Sequence, residues 1–141
     1  MGRLLAIDYG RKRCGVAATD TLQLVANPLT TVRACDLEVW LLEYVGREPV
    51  DAIVVGYPTT MRGEESESMR WIEPALKRLR RVLPQPINII MWDERFTSVL
   101  AHRAMLAGGM SRMDRRDKSV VDKISAAIIL NSYLESRQHI N

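Results

Sequence analysis

The order of the predicted strands and helices indicates an α/β layered fold with a mixed sheet. Three strand-like segments come first, and from residue 36 onward helical and strand-like segments alternate. A short basic turn joins the first two segments, as in an antiparallel hairpin, whereas strands separated by helices usually run parallel. No linker or change of composition divides the 141 residues, so we predict a single domain over residues 1–141.

The N-terminal segments have the composition of three strands. Residues 3–8, RLLAID, form an apolar run, and residues 14–20, CGVAATD, resume after the turn. Gly15 inside the second run predicts a bulge or the close approach of another backbone. A third strand is expected within residues 22–33, where Pro28 should end or bend it.

Helices and strands then alternate. Large apolar residues recur at helical spacing after Asp36, a candidate N-cap, and Gly46 and Pro49 should end this helix. A second helical stripe contains Pro74, so its helix either kinks there or becomes regular only near Glu73. The remaining expected elements are strands at 51–58 and 87–92, and helices at 69–83, 98–108 and 118–137.

Composition favours a soluble, cytoplasmic protein. The chain is 47% hydrophobic and 26% charged, with a net charge of +3 that is compatible with nucleic-acid binding. Its start lacks the apolar run of a signal peptide, and no run reaches the length of a membrane span. Cys14 and Cys35 lack metal-type spacing with His102 or His139, and no Ser-His-Asp or Cys-His set is evident.

Three carboxylates are predicted at one edge of the sheet. Asp8 ends the first strand and Glu94 follows the last, and ligands of α/β sheets bind beyond the carboxyl ends of the strands. Asp122 lies on the final helix in a largely apolar stripe that should face the sheet. Each acid alone has another explanation. Asp8 could be a turn residue or a partner of Arg11, and Glu94 could pair with Arg95 or a helix terminus. Asp122 could pair with Lys118 or Lys123.

Three clustered carboxylates suit metal-dependent hydrolysis of phosphodiesters. Mg²⁺ prefers hard oxygen ligands, and Mn²⁺ accepts the same donors. Two such ions about 3.5–4 Å apart can activate a water and stabilise the leaving oxygen without a side-chain nucleophile. The residues therefore favour a nuclease that uses one or two Mg²⁺ or Mn²⁺ ions, although each acid taken singly would prove little.

Four collinear segments resemble the YqgF family of the ribonuclease H-like superfamily. They are LLAIDYGRKRCGVAATD, DAIVVGYPTTMRGEES, WDERFTS and KSVVDKISAAIIL. The family is described as Holliday junction resolvases and as nucleases that mature pre-16S ribosomal RNA. The resemblance implies a ribonuclease H-like three-layer fold, with a mixed five-stranded sheet, antiparallel N-terminal strands and flanking helices.

The resemblance also implies roles for individual residues. Asp8, Glu94 and Asp122 would form the catalytic, metal-binding triad. Phosphate contacts would come from Arg11 or Lys12 and from Arg95. The loop after Gly56 departs from the family pattern at Tyr57, Thr60 and Arg62, and Arg62 adds a cation that could hold a backbone phosphate.

A basic cluster could surround the acidic site. With Arg11, Lys12 and Arg13 it would provide the positive charge that gives most sequence-independent affinity for nucleic acid. The alternative is a solvated loop without function. The cluster consists of Arg112, Arg115, Arg116, Lys118 and Lys123.

The predicted partner is nucleic acid, either precursor rRNA or branched DNA, and no membrane. A homodimer would explain symmetric cutting of a four-way junction, although no dimer surface is evident. The alternative function is a non-catalytic RNA- or DNA-binding module in ribosome assembly. ATP-dependent phosphotransfer of the actin-like type is disfavoured, because those proteins close two such domains over the nucleotide.

Overall fold

The computed structural model describes residues 2–57, 69–94 and 118–140, apart from the side chains of Lys118 and residues 138–140. The strands are β1 Arg3–Tyr9, β2 Arg13–Thr19, β3 Ala26–Arg33, β4 Val50–Tyr57 and β5 Asn88–Asp93. A 3-10 helix at Ala34–Asp36 precedes the helices, which are α1 Leu37–Arg47, α2 Met69–Val82 and α3 Lys118–Ile140. The predicted helix at 98–108 and the loop at 58–68 lie outside the described residues.

The five strands form one mixed sheet in the order β3-β2-β1-β4-β5. β1 is antiparallel to β2, and β2 is antiparallel to β3. β4 runs parallel to both β1 and β5, because the connections that lead into β4 and β5 carry helices. The predicted mixed sheet, parallel in its second half, is confirmed.

Side chains alternate across the sheet and form an apolar core on each face. Leu5 and Ile7 of β1 pack with α1 and α2 on one face. Leu4 and Ala6 pack with α3 on the other, where α3 crosses β1, β2 and β3. The sheet thus lies between two helical layers, and Asp8 follows Leu4 and Ala6 on the face that α3 covers.

Three local predictions can be compared with the structure in detail. Of the two outcomes predicted for Pro28, an end or a bend, the structure has a bulge, where the pairing shifts from Val16–Thr30 to Ala17–Pro28 on this edge strand and β3 continues. Asp36 occupies the N-cap position of α1 without a capping hydrogen bond from its side chain. Pro74 lies inside the continuous helix α2, which therefore does not begin near Glu73.

No helix in the described parts of the chain is both long enough and apolar enough to cross a membrane.

Candidate active site

Asp8 lies between two glycines in the sheet. It pairs with Gly15 of β2 on one side and with Gly56 of β4 on the other. Asp8 is buried, at 7% exposure, on the face of the sheet that α3 covers. Because neither neighbour has a side chain, the helix can approach the sheet closely on both sides of this carboxylate.

At Gly15 the backbone of α3 comes into direct contact with the sheet. A Cβ atom on Gly15 would lie 1.9 Å from the backbone oxygen of Asp122, a distance that excludes any side chain. Since Gly15 is the ladder partner of Asp8, this contact brings Asp122 next to Asp8. The close backbone approach predicted at Gly15 is confirmed, and its cause is the first part of α3.

Gly56 faces α3 on the other side of Asp8, but its contact is with a side chain instead of the backbone. A Cβ atom there would lie 2.5 Å from Cδ1 of Ile129, two turns further along α3. On the far side of β2, the Thr31 hydroxyl donates a hydrogen bond to the backbone oxygen of Ser119. The helix is therefore held across the same row of paired residues that contains Asp8.

Arg13 fixes the side chain of Asp122. Its Nε atom donates a hydrogen bond to Oδ2 of Asp122 at 2.9 Å, and the two side chains are 38% and 24% exposed. The sequence suggested Lys118 or Lys123 as partners and grouped Arg13 with the phosphate-binding cations, so this pairing was missed. The signal that could have found it is strand alternation, because Arg13 lies two residues before Gly15 and on the same face.

The thiol of Cys14 is influenced by both carboxylates. Burial raises its pKa to about 12, and the negative charges of Asp8 and Asp122 contribute further to the rise. The raised pKa keeps Cys14 protonated at neutral pH, which makes it a poor nucleophile.

Glu94 follows β5 at the same edge of the sheet. Trp92 of β5 pairs with Gly56, so it shares the row of Asp8 two strands away, a lateral distance of about 10 Å. Glu94 is two residues further along and is buried, at 5% exposure. The neighbouring Asp93 is also buried.

The donor atoms at this edge fit a hard divalent cation, because all three predicted ligands are carboxylates. Within residues 2–57, 69–94 and 118–140, however, no three His, Cys, Asp or Glu side chains are grouped closely enough to hold an ion. The structure thus brings Asp8 and Asp122 together and places Glu94 beyond the end of the same sheet. The metal-binding triad stays a prediction.

The predicted nucleic-acid contacts are only partly described. Arg11 is exposed in the β1–β2 turn, with its guanidinium carbon 5.9 Å from the centre of the Trp71 ring on α2. Lys12 is exposed beside it, and its backbone oxygen accepts a hydrogen bond from the amide of Ala34. The side chain of Lys118 is not described, and the remaining predicted contacts lie outside the described residues: Arg62, Arg95, Arg112, Arg115 and Arg116.

Comparison with known proteins places the chain in one family. Residues 2–136 match the family model RuvX, described as Holliday junction resolvase. A protein of Phocaeicola vulgatus named "Putative pre-16S rRNA nuclease" is 55% identical over 141 residues, covering 99% of this chain and 100% of that protein. A protein of Parabacteroides distasonis with the same name is 52% identical over 139 residues, covering 99% of each chain.

A solved structure has the same fold. The structure described as T. thermophilus RuvC in complex with Holliday junction substrate superposes with a TM-score of 0.53, at 13% identity and 96% coverage of both chains. This likeness supports the ribonuclease H-like architecture that the sequence motifs implied. The chain therefore belongs to the RuvX family of Holliday junction resolvases and is an enzyme of the nuclease class with a ribonuclease H-like fold.

Proposed function

We propose that this protein is a metal-dependent endonuclease that hydrolyses phosphodiester bonds of structured nucleic acid in the cytoplasm. Asp8, Glu94 and Asp122 would be its catalytic residues and the ligands of one or two Mg²⁺ or Mn²⁺ ions. The observation that carries the proposal is the backbone contact between Gly15 and Asp122, which brings two carboxylates from distant parts of the chain together. Carboxylate oxygens are hard donors, and a divalent cation could be bound by both residues at once.

The metal ions and the residues of the site would have different roles in the reaction. When bound, the ions would supply an activated water and stabilise charge on the leaving oxygen. Asp8 is held by the β ladder and Asp122 by the guanidinium of Arg13, so neither needs to reorganise when substrate arrives. Arg11 and Lys12 are exposed in the β1–β2 turn, which follows the strand end that carries Asp8, and there they would bind phosphates that flank the scissile bond.

The proposed natural substrate is precursor 16S rRNA, cut at its 5′ end. The names of the relatives from Phocaeicola vulgatus and Parabacteroides distasonis support this choice. The family description supports a four-way DNA junction as the second substrate, for which a homodimer would be needed to cut symmetrically. The carboxylates would act only on the phosphodiester, which RNA and DNA share. Contacts to the 2′-hydroxyl and recognition of the substrate's shape would therefore decide between precursor rRNA and a DNA junction.

The test is cleavage by Asp8→Asn. We expect wild type to cut precursor 16S rRNA or a junction with Mg²⁺ or Mn²⁺, and the variant to lose activity by about 100-fold or more. Its thermal unfolding should change little, because asparagine has nearly the same shape as aspartate. Asp36→Asn, which neutralises a carboxylate that is 60% exposed at the start of α1, is the matched control and should remain fully active.

A non-catalytic role in ribosome assembly is the second candidate, and one observation favours it. The described residues hold no ready-made group of three metal ligands. This function predicts salt-sensitive binding of precursor rRNA without cleavage, unchanged by Asp8→Asn. Metal-dependent cleavage that Asp8→Asn abolishes would exclude it, and cleavage that survives the substitution would contradict the assignment of Asp8.

A further inference from the structure

The positive charge of the described chain is concentrated on α2. This helix carries five cations and a single carboxylate, Glu73, although the whole chain has a net charge of only +3. Cations in the last turn stabilise the helix dipole, which accounts for Arg80 and Arg81 but not for cations nearer the start. The five cations are Arg70, Lys77, Arg78, Arg80 and Arg81.

Only one of the five has an ion-pair partner among the residues that the structure describes. Arg78 binds the carboxylate of Glu38 on α1, and this interaction raises the pKa of Arg78. Within the same described ranges, no ion pair involves Arg70, Lys77 or Arg80, and all three are exposed. They are therefore available to bind an anion.

Three of these cations border a groove. The groove has a volume of about 690 Å³ and runs between α2 and the ends of β4 and β5. Its cationic side chains are Arg70, Lys77 and Arg80. Its other lining residues are an aromatic ring, four apolar side chains and one carboxylate, from Tyr57, Met69, Pro74, Leu76, Met91 and Glu73. The three cations leave the lining with a net positive charge. Arg81, one residue further along α2, does not line it.

The groove lies on the α2 face of the sheet, opposite the face that carries Asp8, and it begins at the edge where the candidate active site lies. A strand that leaves the site would reach it by passing around this edge. Tyr57 follows Gly56, the ladder partner of Asp8, and itself pairs with Asp93. From there α2 leads away from the edge, and Arg80 lies about 15 Å along the helix from Arg70. The contact of Arg11 with Trp71 also places the start of α2 beside the β1–β2 turn.

We propose that this groove binds a single-stranded extension of the nucleic-acid substrate. Lys77 and Arg80 would contact its phosphates, and Tyr57 would stack on a base. The cationic rim matches a phosphate backbone, and the aromatic and apolar floor matches the faces of unpaired bases, which stack without sequence preference. This inference rests on the proposed function, because it assumes that the scissile phosphate lies at Asp8.

The test compares binding of two substrates that differ only in a single-stranded tail. One is a blunt RNA duplex, and the other is the same duplex with an eight-nucleotide extension. Affinity is measured by fluorescence anisotropy with EDTA present, so that metal-dependent cleavage cannot alter the RNA during the measurement. We expect Lys77→Ala and Arg80→Ala each to weaken binding of the tailed RNA five- to tenfold. The salt slope should also fall by about 0.7 for each contact removed from a single strand.

Binding of the blunt duplex should be unchanged in both variants. Arg81→Ala is the matched control, because it removes the same charge from the adjacent exposed position of α2 but lies outside the groove. Tyr57→Ala should weaken binding of the tailed RNA without changing the salt slope, since it removes stacking and no charge.

Equal losses for tailed and blunt RNA, or equal losses in Arg80→Ala and Arg81→Ala, would show general electrostatics and overturn the groove assignment. Preferential binding of an acidic peptide over the tail would overturn it as well. If the variants weaken binding of the tailed RNA but no metal-dependent cleavage is found, the proposed nuclease function is contradicted and the groove assignment is supported. If metal-dependent cleavage is found but the variants bind tailed RNA as wild type does, only the groove assignment is contradicted.

Discussion

At the scale of residues, the candidate site depends on the guanidinium of Arg13, which orients the carboxylate of Asp122. The Nε atom of Arg13 lies 2.9 Å from Oδ2 of Asp122, and both side chains are partly open to solvent. A partly exposed pair of this kind contributes little to stability, since water and salt screen it. Its value lies instead in the fixed orientation of a carboxylate that stands beside Asp8.

Replacement of Arg13 should therefore affect activity more than stability. We expect Arg13→Ala to lower cleavage about 10- to 100-fold, as is typical when the partner of a ligand is removed. The free energy of unfolding should fall by about 1 kcal/mol or less. A higher Mg²⁺ concentration for half-maximal activity, partly restored in Arg13→Lys, would identify a positioning role.

Arg33→Ala is the control for this experiment. Arg33 is also an arginine on a strand paired with an aspartate, Asp36, but its side chain is 76% exposed and its partner lies at the start of α1. Normal metal dependence in both variants would contradict a positioning role for Arg13.

At the scale of elements, the packing of α3 on the sheet depends on glycine. The Cβ atom of any other residue at position 15 would overlap the backbone oxygen of Asp122. Gly46 provides a contrast, because a Cβ atom there has nothing within 4 Å and the residue lies in the last turn of α1. The same substitution should thus have opposite effects in the two elements.

We expect Gly15→Ala to destabilise the protein by about 3 kcal/mol or more, since the backbone of α3 must move away. Gly46→Ala should stabilise it by about 0.5–1 kcal/mol, because alanine is the better helix former. Urea unfolding of both variants at one pH measures the difference. A Gly15→Ala protein as stable as wild type would show that α3 does not touch β2 in solution.

The strands and helices could largely be predicted from sequence, and the detailed contacts could not. Apolar runs and helical spacing identified all five strands and the three α-helices that the structure describes. They could do so because burial of one face of a helix, or of a whole strand, imposes a regular pattern of apolar residues. The pairing of Arg13 with Asp122 joins residues 109 positions apart and leaves no local pattern. The groove along α2 was missed for a similar reason, since cations at a helix end already have a sufficient explanation in the dipole.

At the scale of the whole molecule, the candidate active site and a stabilising polar network lie at opposite ends of the sheet. The candidate active site occupies one end, and a polar network ties the other end together. Gln23 adopts a left-handed backbone conformation with φ of 58°. Its side chain donates to the backbone oxygen of Gly2 and to Asp51, and accepts a hydrogen bond from Arg137 of α3. Stabilising contacts are thus separated from the site where substrate would bind.

The turn that carries Gln23 should make stability depend on pH. The carboxylate of Asp20 accepts hydrogen bonds from the amides of Val25, Leu24 and Leu22, which lower its pKa. A group with a lowered folded-state pKa stabilises the protein above its unfolded pKa of about 3.9. That contribution is lost as pH falls through the folded-state pKa.

We therefore expect Asp20→Asn to be less stable than wild type at pH 7, with the difference shrinking as the pH falls below about 4. Chemical unfolding across this range measures the effect. A difference that stayed constant with pH would show that the charge of Asp20 does not contribute. Glu43→Gln serves as a control in α1, away from this turn.

The two glycines beside Asp8 bear on how mutational screens of this family should be interpreted. A library scored by activity alone would rank position 15 as intolerant as position 8, although glycine is required there by the backbone of α3. Position 56 would tolerate more, because a Cβ atom there meets only the side chain of Ile129. Scoring cellular abundance in parallel would separate the two kinds of position, since loss of activity at position 15 would accompany loss of folded protein. The aspartate alone would then remain abundant and inactive.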